Sequence, residues 1–244
     1  LRGIVLLPNN EIRLEIDNEN NKNVIDIAFL FHDKNILVVT NPDPLEEKPN
    51  IKNLPKIGVI SKIINRIELP NGKTRVIIKG IKRARIYEYL NLNRTDDLLE
   101  AIVSKIEETE VENENILTKK LFREFELAVK KIPYLSNSVL SLLTGVDDLS
   151  TMTDMVVPHL PISLERSLEY LENNSPVNRF EMILNDLYRE NEMFSIEYEI
   201  DNKVREGFDN NQKEHILREK LKLIKEQLGE ANSKDDDIEK LNKR

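Results

Sequence analysis

The sequence predicts an α+β fold, in which an antiparallel β-barrel or sheet domain is followed by an α-helical bundle and a long C-terminal helix. Three observations carry this expectation. Short runs with strand periodicity fill roughly the first hundred residues. Leu69-Pro70-Asn71-Gly72 separates two β-prone runs, a strong local hairpin signal because Asn and Gly tolerate positive φ. From Ser175-Pro176 onward no further proline occurs, and apolar residues recur in steps of three and four as far as Leu228.

Taken in order, Gly3 to Leu7 is an apolar run stopped by Pro8-Asn9-Asn10 and is expected to be a strand. Ile12, Leu14 and Ile16 then alternate with Arg13 and Glu15, the period of a half-buried strand. Val24, Ile27, Ala28 and Phe31 share one helical face within Asn23 to Phe31, and Asn35 to Thr40 reads as a buried strand. Asn41 to Pro55 is proline-rich and reads as a surface loop. Gly58 to Ile67 and Lys73 to Tyr89 form the predicted hairpin. From about Val111 the period becomes helical. Ile116, Leu117, Leu121, Phe125 and Leu127 to Val129 give one apolar face, which ends at Pro133. Ser136 or Asn137 caps a short helix that stops at Gly145, Asp147 or Asp148 caps another ending near Pro158, and Ser163 to Leu171 forms a fourth. Ser175-Pro176 supplies an N-cap followed by proline at the first helical position, where it is favoured. The helix that follows could extend roughly 80 Å if unbroken, with Gly207 the expected kink. The expected divisions are a β domain over 1–105, a helical subdomain over 106–174, an arm over 175–230 and a linker over 231–244.

The chain has 244 residues, 33% of them charged, a net charge of −8, no Cys and no Trp. Disulfides, thiolate metal sites and Cys nucleophiles are excluded. The acidic balance and sparse aromatics disfavour generic nucleic-acid binding and base stacking. No apolar run approaches a membrane span or a signal peptide, and a reducing cytoplasm is the expected location. Gly72-Lys73-Thr74 imitates the end of a phosphate-binding loop, but Ile67 stands where the motif needs Gly and a strand follows. His32, His159 and His215 have no metal-ligand spacing, and Asp235-Asp236-Asp237 lacks the rest of a calcium loop. Neither a catalytic constellation nor a metal or cofactor site is expected in this stretch.

Several segments, in this order, resemble the N-terminal region of bacterial Lon-type ATP-dependent serine proteases. They are Leu7-Pro8 in its strand-turn-strand, Asp33 to Pro44, Ile57 to Ile63, Leu69 to Ile86, Pro158 to Ser163 and His215 to Glu230. The resemblance implies a PUA-like β domain, a helical bundle and a long helix that together form the substrate-engaging front of a hexameric AAA+ machine. The ATPase domain, with its ATP and magnesium, and a protease domain with a Ser-Lys dyad are expected to follow this region. The family usually has Gly after the proline of the first turn; this chain has Asn9, which also tolerates positive φ.

On this reading the partners are unfolded or degron-tagged proteins and further copies of the chain. The expected polypeptide-capturing residues are Leu7, Pro8 and Ile12 at the first turn and Leu69 and Pro70 in the hairpin, because exposed apolar groups on a rigid scaffold bind unfolded chains weakly. Closure of the β core is the competing role for each of them. Leu217, Leu221, Ile224 and Leu228 are the expected contacts of an associating arm. Lys73, Arg75, Lys79, Lys82, Arg83 and Arg85 favour a solvated strand face over a phosphate-binding one, with an RNA-binding PUA-like protein as the alternative function. A structural adaptor that uses the arm as a coiled coil is a third reading.

Overall fold

A computed structural model describes residues 1–43, 45, 51–90 and 99–227. Five strands form one antiparallel sheet: β1 (Glu11–Ile16), β2 (Asn35–Val38), β3 (Ile57–Glu68), β4 (Thr74–Leu90) and β5 (Glu100–Lys105). The order is β1-β4-β3-β2, and β5 pairs with β4. Residues 74–79 of β4 pair with β1 and residues 84–90 with β5, so one long strand organises both. Register shifts between Ile60 and Ser61 and between Ile63 and Asn65 on β3, and between Ile86 and Glu88 on β4, mark bulges that strengthen strand twist. The helix α1 (Glu19–Phe31) lays Ile25 and Ala28 on the sheet, where they join Leu6, Val38, Ile63, Val76 and Ile78 in the β core.

Gly3 to Leu7 is not a strand. Gly3 has φ +70, outside extended geometry, and the segment runs beside residues 39–41 instead. Arg2 bridges Asn41, and the Thr40 hydroxyl donates to the Ile4 carbonyl at 2.9 Å. The hairpin forms where expected. Pro70 has its φ fixed near −65° and takes the first central position, so Gly72 N–H donates to Leu69 O at 3.0 Å. Gly72 follows at φ +79, and Leu69 N–H closes the loop on Lys73 O at 2.8 Å. The result is a three-residue loop with a glycine bulge. The strand β5 was not foreseen.

The helices are α2 (Glu114–Lys131), α3 (Ser138–Leu143), α4 (Leu149–Val156), α5 (Leu164–Glu172) and α6 (Pro176–Gln227). Asp148 caps α4 by accepting from Thr151 N–H at 2.7 Å, and Ser163 caps α5 by accepting from Arg166 N–H at 3.2 Å. Asn137 makes no side-chain cap at α3; the Ser136 hydroxyl accepts from Ser138 N–H at 3.3 Å instead. The helix α4 packs on α2 and α3, burying Leu121, Phe125, Val139, Leu143, Leu149 and Met152. Ile116 and Leu127, expected on the apolar face of α2, are 65% and 50% exposed.

One compact unit, Leu1–Asn191, holds the β module, the bundle and the start of α6, whose Phe180, Ile183 and Leu187 are buried. A second unit begins at Glu192. The helix α6 remains helical through Gly207, because one glycine costs only about 1 kcal/mol within a long helix. The expected linker lies outside the described residues. No helix among the described residues is long and apolar enough to cross a membrane.

Candidate polypeptide-binding surface

The first turn is built around close backbone approach. Asn9 N–H donates to Gly80 O and Gly80 N–H donates to Asn10 O, both at 2.9 Å, so the turn fills the stretch of β4 between β1 and β5. A Cβ at Gly80 would stand 2.5 Å from the Leu7 carbonyl oxygen, so the contact requires glycine. Asn9 adopts φ +61, as the turn demands. Its side-chain amide donates to the Thr151 hydroxyl at 3.1 Å, and the Asn10 amide donates to the Asp154 carbonyl at 2.7 Å. The turn therefore faces inward, toward α4. Leu7 and Pro8 are buried with it, contrary to the exposed placement expected for polypeptide capture.

Arg83 is also corrected: it is 1% exposed and belongs to no solvated face. Its Nη1 and Nη2 donate to the two oxygens of Asp154 at 2.6 Å, and Nε and Nη2 reach the carbonyls of Leu171 and Tyr170 at 3.0 and 3.2 Å. Arg179, also buried, donates to Glu108 and Ser150 at 2.9 Å, and its Nε lies 3.4 Å from Asp154. Burial, with a smaller push from Glu108, raises the Asp154 carboxyl, and the Arg83 and Arg179 guanidiniums pull against that rise. With both oxygens clasped by charged donors, the geometry fits the carboxylate. Burial likewise lowers Arg179, whose ordinary value is high enough to leave it charged. These four residues join β4, the segment after β5, α4 and α6.

The outer face of the sheet is mixed, with Ile67 and Ile77 set among Arg13, Glu15 and Arg75. A shallow groove of about 450 Å³ is lined by Arg13, Leu14, Glu15, Ile67, Arg75 and Ile77. Arg75 Nη2 donates to Glu15 at 2.6 Å along it, holding the Glu15 carboxyl below its usual range. Ile67 is 48% exposed and lies two residues before Leu69 in the hairpin. Leu69 is half-buried and Pro70 exposed, so the hairpin tip continues this surface. Ile12, the remaining residue expected here, packs against the β core. Ile77 had a readable signal: Val76-Ile77-Ile78 is an uninterrupted apolar run on a strand whose faces alternate, so one of them must face outward. A smaller groove of about 220 Å³ lies where the first turn meets α4, lined by Pro8, Asn9, Ile81 and Thr151 among others.

The basic strand is matched by carboxylates. Arg75 pairs with Glu15, Lys79 with Glu11 at 3.9 Å, Lys82 with Glu107 at 2.8 Å and Lys73 with Asp17 at 4.0 Å. Cations neutralised by neighbouring carboxylates make a poor phosphate track. On the arm, Leu217, Leu221 and Ile224 are 61%, 55% and 52% exposed, and Leu228 lies outside the described residues. Among the described residues no cluster of His, Asp or Glu could hold a metal ion.

A β module joined to a helical bundle through buried arginines has the fold of solved N-terminal domains of Lon proteases. The Mycobacterium avium complex Lon protease N-terminal domain matches with TM-score 0.62 and 18% identity, covering 77% of this chain and 95% of that one. The Xanthomonas campestris Lon N-terminal domain protein matches with TM-score 0.54 and 19% identity, covering 75% and 93%. A family model described as the ATP-dependent protease La (LON) substrate-binding domain matches residues 1–189, and the chain belongs to that family. Among relatives, Lon protease of Brevibacillus choshinensis is 29% identical over 242 residues, and Lon protease 1 of Bacillus subtilis is 27% identical over 243. Each alignment covers 99% of this chain but 31% of the relative, so the chain spans about a third of their length.

Proposed function

We propose that this chain is the substrate-recognition and assembly region of an ATP-dependent Lon-type serine protease that degrades misfolded and degron-bearing proteins in the cytoplasm. The family match over residues 1–189 carries this reading. Unfolded or tagged polypeptides lie across the outer face of the sheet, over Ile67, Ile77 and the hairpin tip at Leu69 and Pro70. Each contact is weak, and several copies in one assembly, a hexamer in the parent protein, multiply them by avidity. ATP, magnesium and the Ser-Lys dyad belong to the parent protein's other domains, and the region itself turns over neither ATP nor peptide.

The test is binding of the chain to a fluorescently labelled, permanently unfolded polypeptide, with tRNA as competitor and with Ile67→Ser and Ile77→Ser variants. Binding that survives tRNA and weakens severalfold in both variants is expected. Binding abolished by tRNA, or unchanged in the variants, would remove capture from this face.

A further inference from the structure

Charge on the outer face of the sheet balances row by row, with one exception. The register sets Glu11, Lys79 and Lys62 side by side across β1, β4 and β3 and, further along, Glu15, Arg75 and Ile67. In the first row Lys79 lies 3.9 Å from Glu11, and Lys62 lies 3.6 Å from Asp33, just before β2. In the second, Arg75 pairs with Glu15 at 2.6 Å, and beyond it Lys73 lies 4.0 Å from Asp17. The row between them holds Arg13, Ile77 and Asn65. Ile77 stands where a cross-strand carboxylate would be needed, and among the described residues Arg13 makes no ion pair or side-chain hydrogen bond.

Arg13 is exposed on the edge strand β1 and lines the groove that Leu14, Ile67 and Ile77 share. Glu15, two residues on, is committed to Arg75, which together with Lys73 holds its carboxyl below the usual range. A cation among apolar side chains, with the adjacent carboxylates already engaged, complements an anion that carries apolar groups. We propose that Arg13 is a specificity-determining residue of this face: it takes an Asp or Glu side chain of a bound polypeptide whose neighbouring apolar side chains rest on Ile67 and Ile77. Acidic-apolar segments are thereby selected over basic-apolar ones. The inference rests on the reading that polypeptide binds the outer face, and adds which polypeptide.

The geometry favours a side-chain carboxylate over that of a chain end. Capture of a chain end uses clustered backbone N–H groups. Beneath this groove β4 is paired on both edges, with β1 on one side and β3 on the other, so its amides are engaged in the sheet. The Arg13 guanidinium offers two parallel donors, enough for one carboxylate. In an extended segment alternate side chains share a face about 7 Å apart, so an acidic residue at Arg13 leaves the residue two positions along within reach of Ile77.

The test measures binding of the full 244-residue chain to three fluorescently labelled unfolded peptides, amidated at the C-terminus. They share one Leu- and Ile-rich sequence and differ at a central residue, which is Glu, Gln or Lys. At low salt the Glu peptide should bind about threefold more tightly than the Gln peptide, and the Lys peptide more weakly than either, with the differences shrinking as salt is raised. Arg13→Gln should remove the preference and Arg13→Glu should invert it, both with unchanged circular dichroism, while Ile67→Ser and Ile77→Ser weaken all three peptides alike. Equal binding of the three by a chain still sensitive to Ile67→Ser and Ile77→Ser overturns the role of Arg13 and leaves polypeptide on this face. A Glu preference that persists in Arg13→Gln, or a gain seen only when the C-terminal amide is replaced by a free carboxylate, overturns that role too. Binding of none of the peptides overturns both the role and the reading beneath it.

Discussion

Arg83 and Asp154 face each other through two charge-assisted hydrogen bonds of 2.6 Å, with side chains only 1% and 0% exposed. The pair joins β4 to α4 where no water can replace a missing partner. Removing one member strands the other charge, so Arg83→Met or Asp154→Leu alone is expected to cost about 3–5 kcal/mol in urea denaturation. The double variant should recover much of that loss, since it leaves no orphan on this axis. Arg83→Lys should rescue poorly, because one ammonium cannot hold both carboxylate oxygens and the carbonyls of Tyr170 and Leu171. Additive losses, with the double variant less stable than either single by the other's full cost, would show that the two residues act independently.

How far this junction could be read from the sequence shows where local signals stop. A cap at Asp147 or Asp148, a helix beginning near Ser163, the proline start of α6 and the hairpin at Leu69 to Gly72 were legible, because each is decided within a few residues. Arg83 was misread as part of a solvated strand, since its partner is 71 positions away and nothing nearby distinguishes it from Lys82. The strand β5 escaped for a related reason: Ala101, Ile102 and Val103 gain strand character from pairing with β4 rather than from their own period. The apolar surface was read at the turns. Leu7 and Pro8 face inward because the adjacent asparagines bind α4, and only the hairpin half of the expected surface is exposed.

Gly80 tests the close approach directly. Gly80→Ala places a methyl 2.5 Å from a backbone oxygen rather than against a flexible side chain, so the turn or β4 must shift. A loss of about 1–3 kcal/mol is expected, read as a lower thermal midpoint. Gly72→Ala makes a useful contrast: space around it is open, and its cost comes only from holding φ +79.

Asn9 separates conformation from bonding. Asn9→Gly should be close to neutral, because relief of the positive φ offsets the lost hydrogen bond to Thr151. Asn9→Ala loses the bond and keeps the strain, and should be less stable than Asn9→Gly by about 1–2 kcal/mol. Thr151→Val measured beside them isolates the bond; a Val variant as unstable as Asn9→Ala would mean that the bond, and not φ, holds the turn.

Tyr89 sets a limit on alkaline stability. Its hydroxyl donates to the Pro55 carbonyl at 2.5 Å, and burial pushes its ionisation from 10 up to about 12. Tyr170, buried and hydrogen-bonded to Asp186 at 2.7 Å, is raised as well, first by burial and then by that carboxylate. A folded-state value above the unfolded one means that the native chain holds a proton the unfolded chain has released. Stability from these groups is therefore complete below about pH 10 and is lost as pH rises toward and beyond 12. The thermal midpoint should fall across that range, and Tyr89→Phe, which has no proton to lose, should flatten the decline. Phenolate absorbance at 295 nm gives the direct check: at pH 11 the folded chain should show less ionised tyrosine than the same chain in urea, and Tyr89→Phe should narrow that difference. An identical titration in both states would place Tyr89 and Tyr170 in water rather than in the fold.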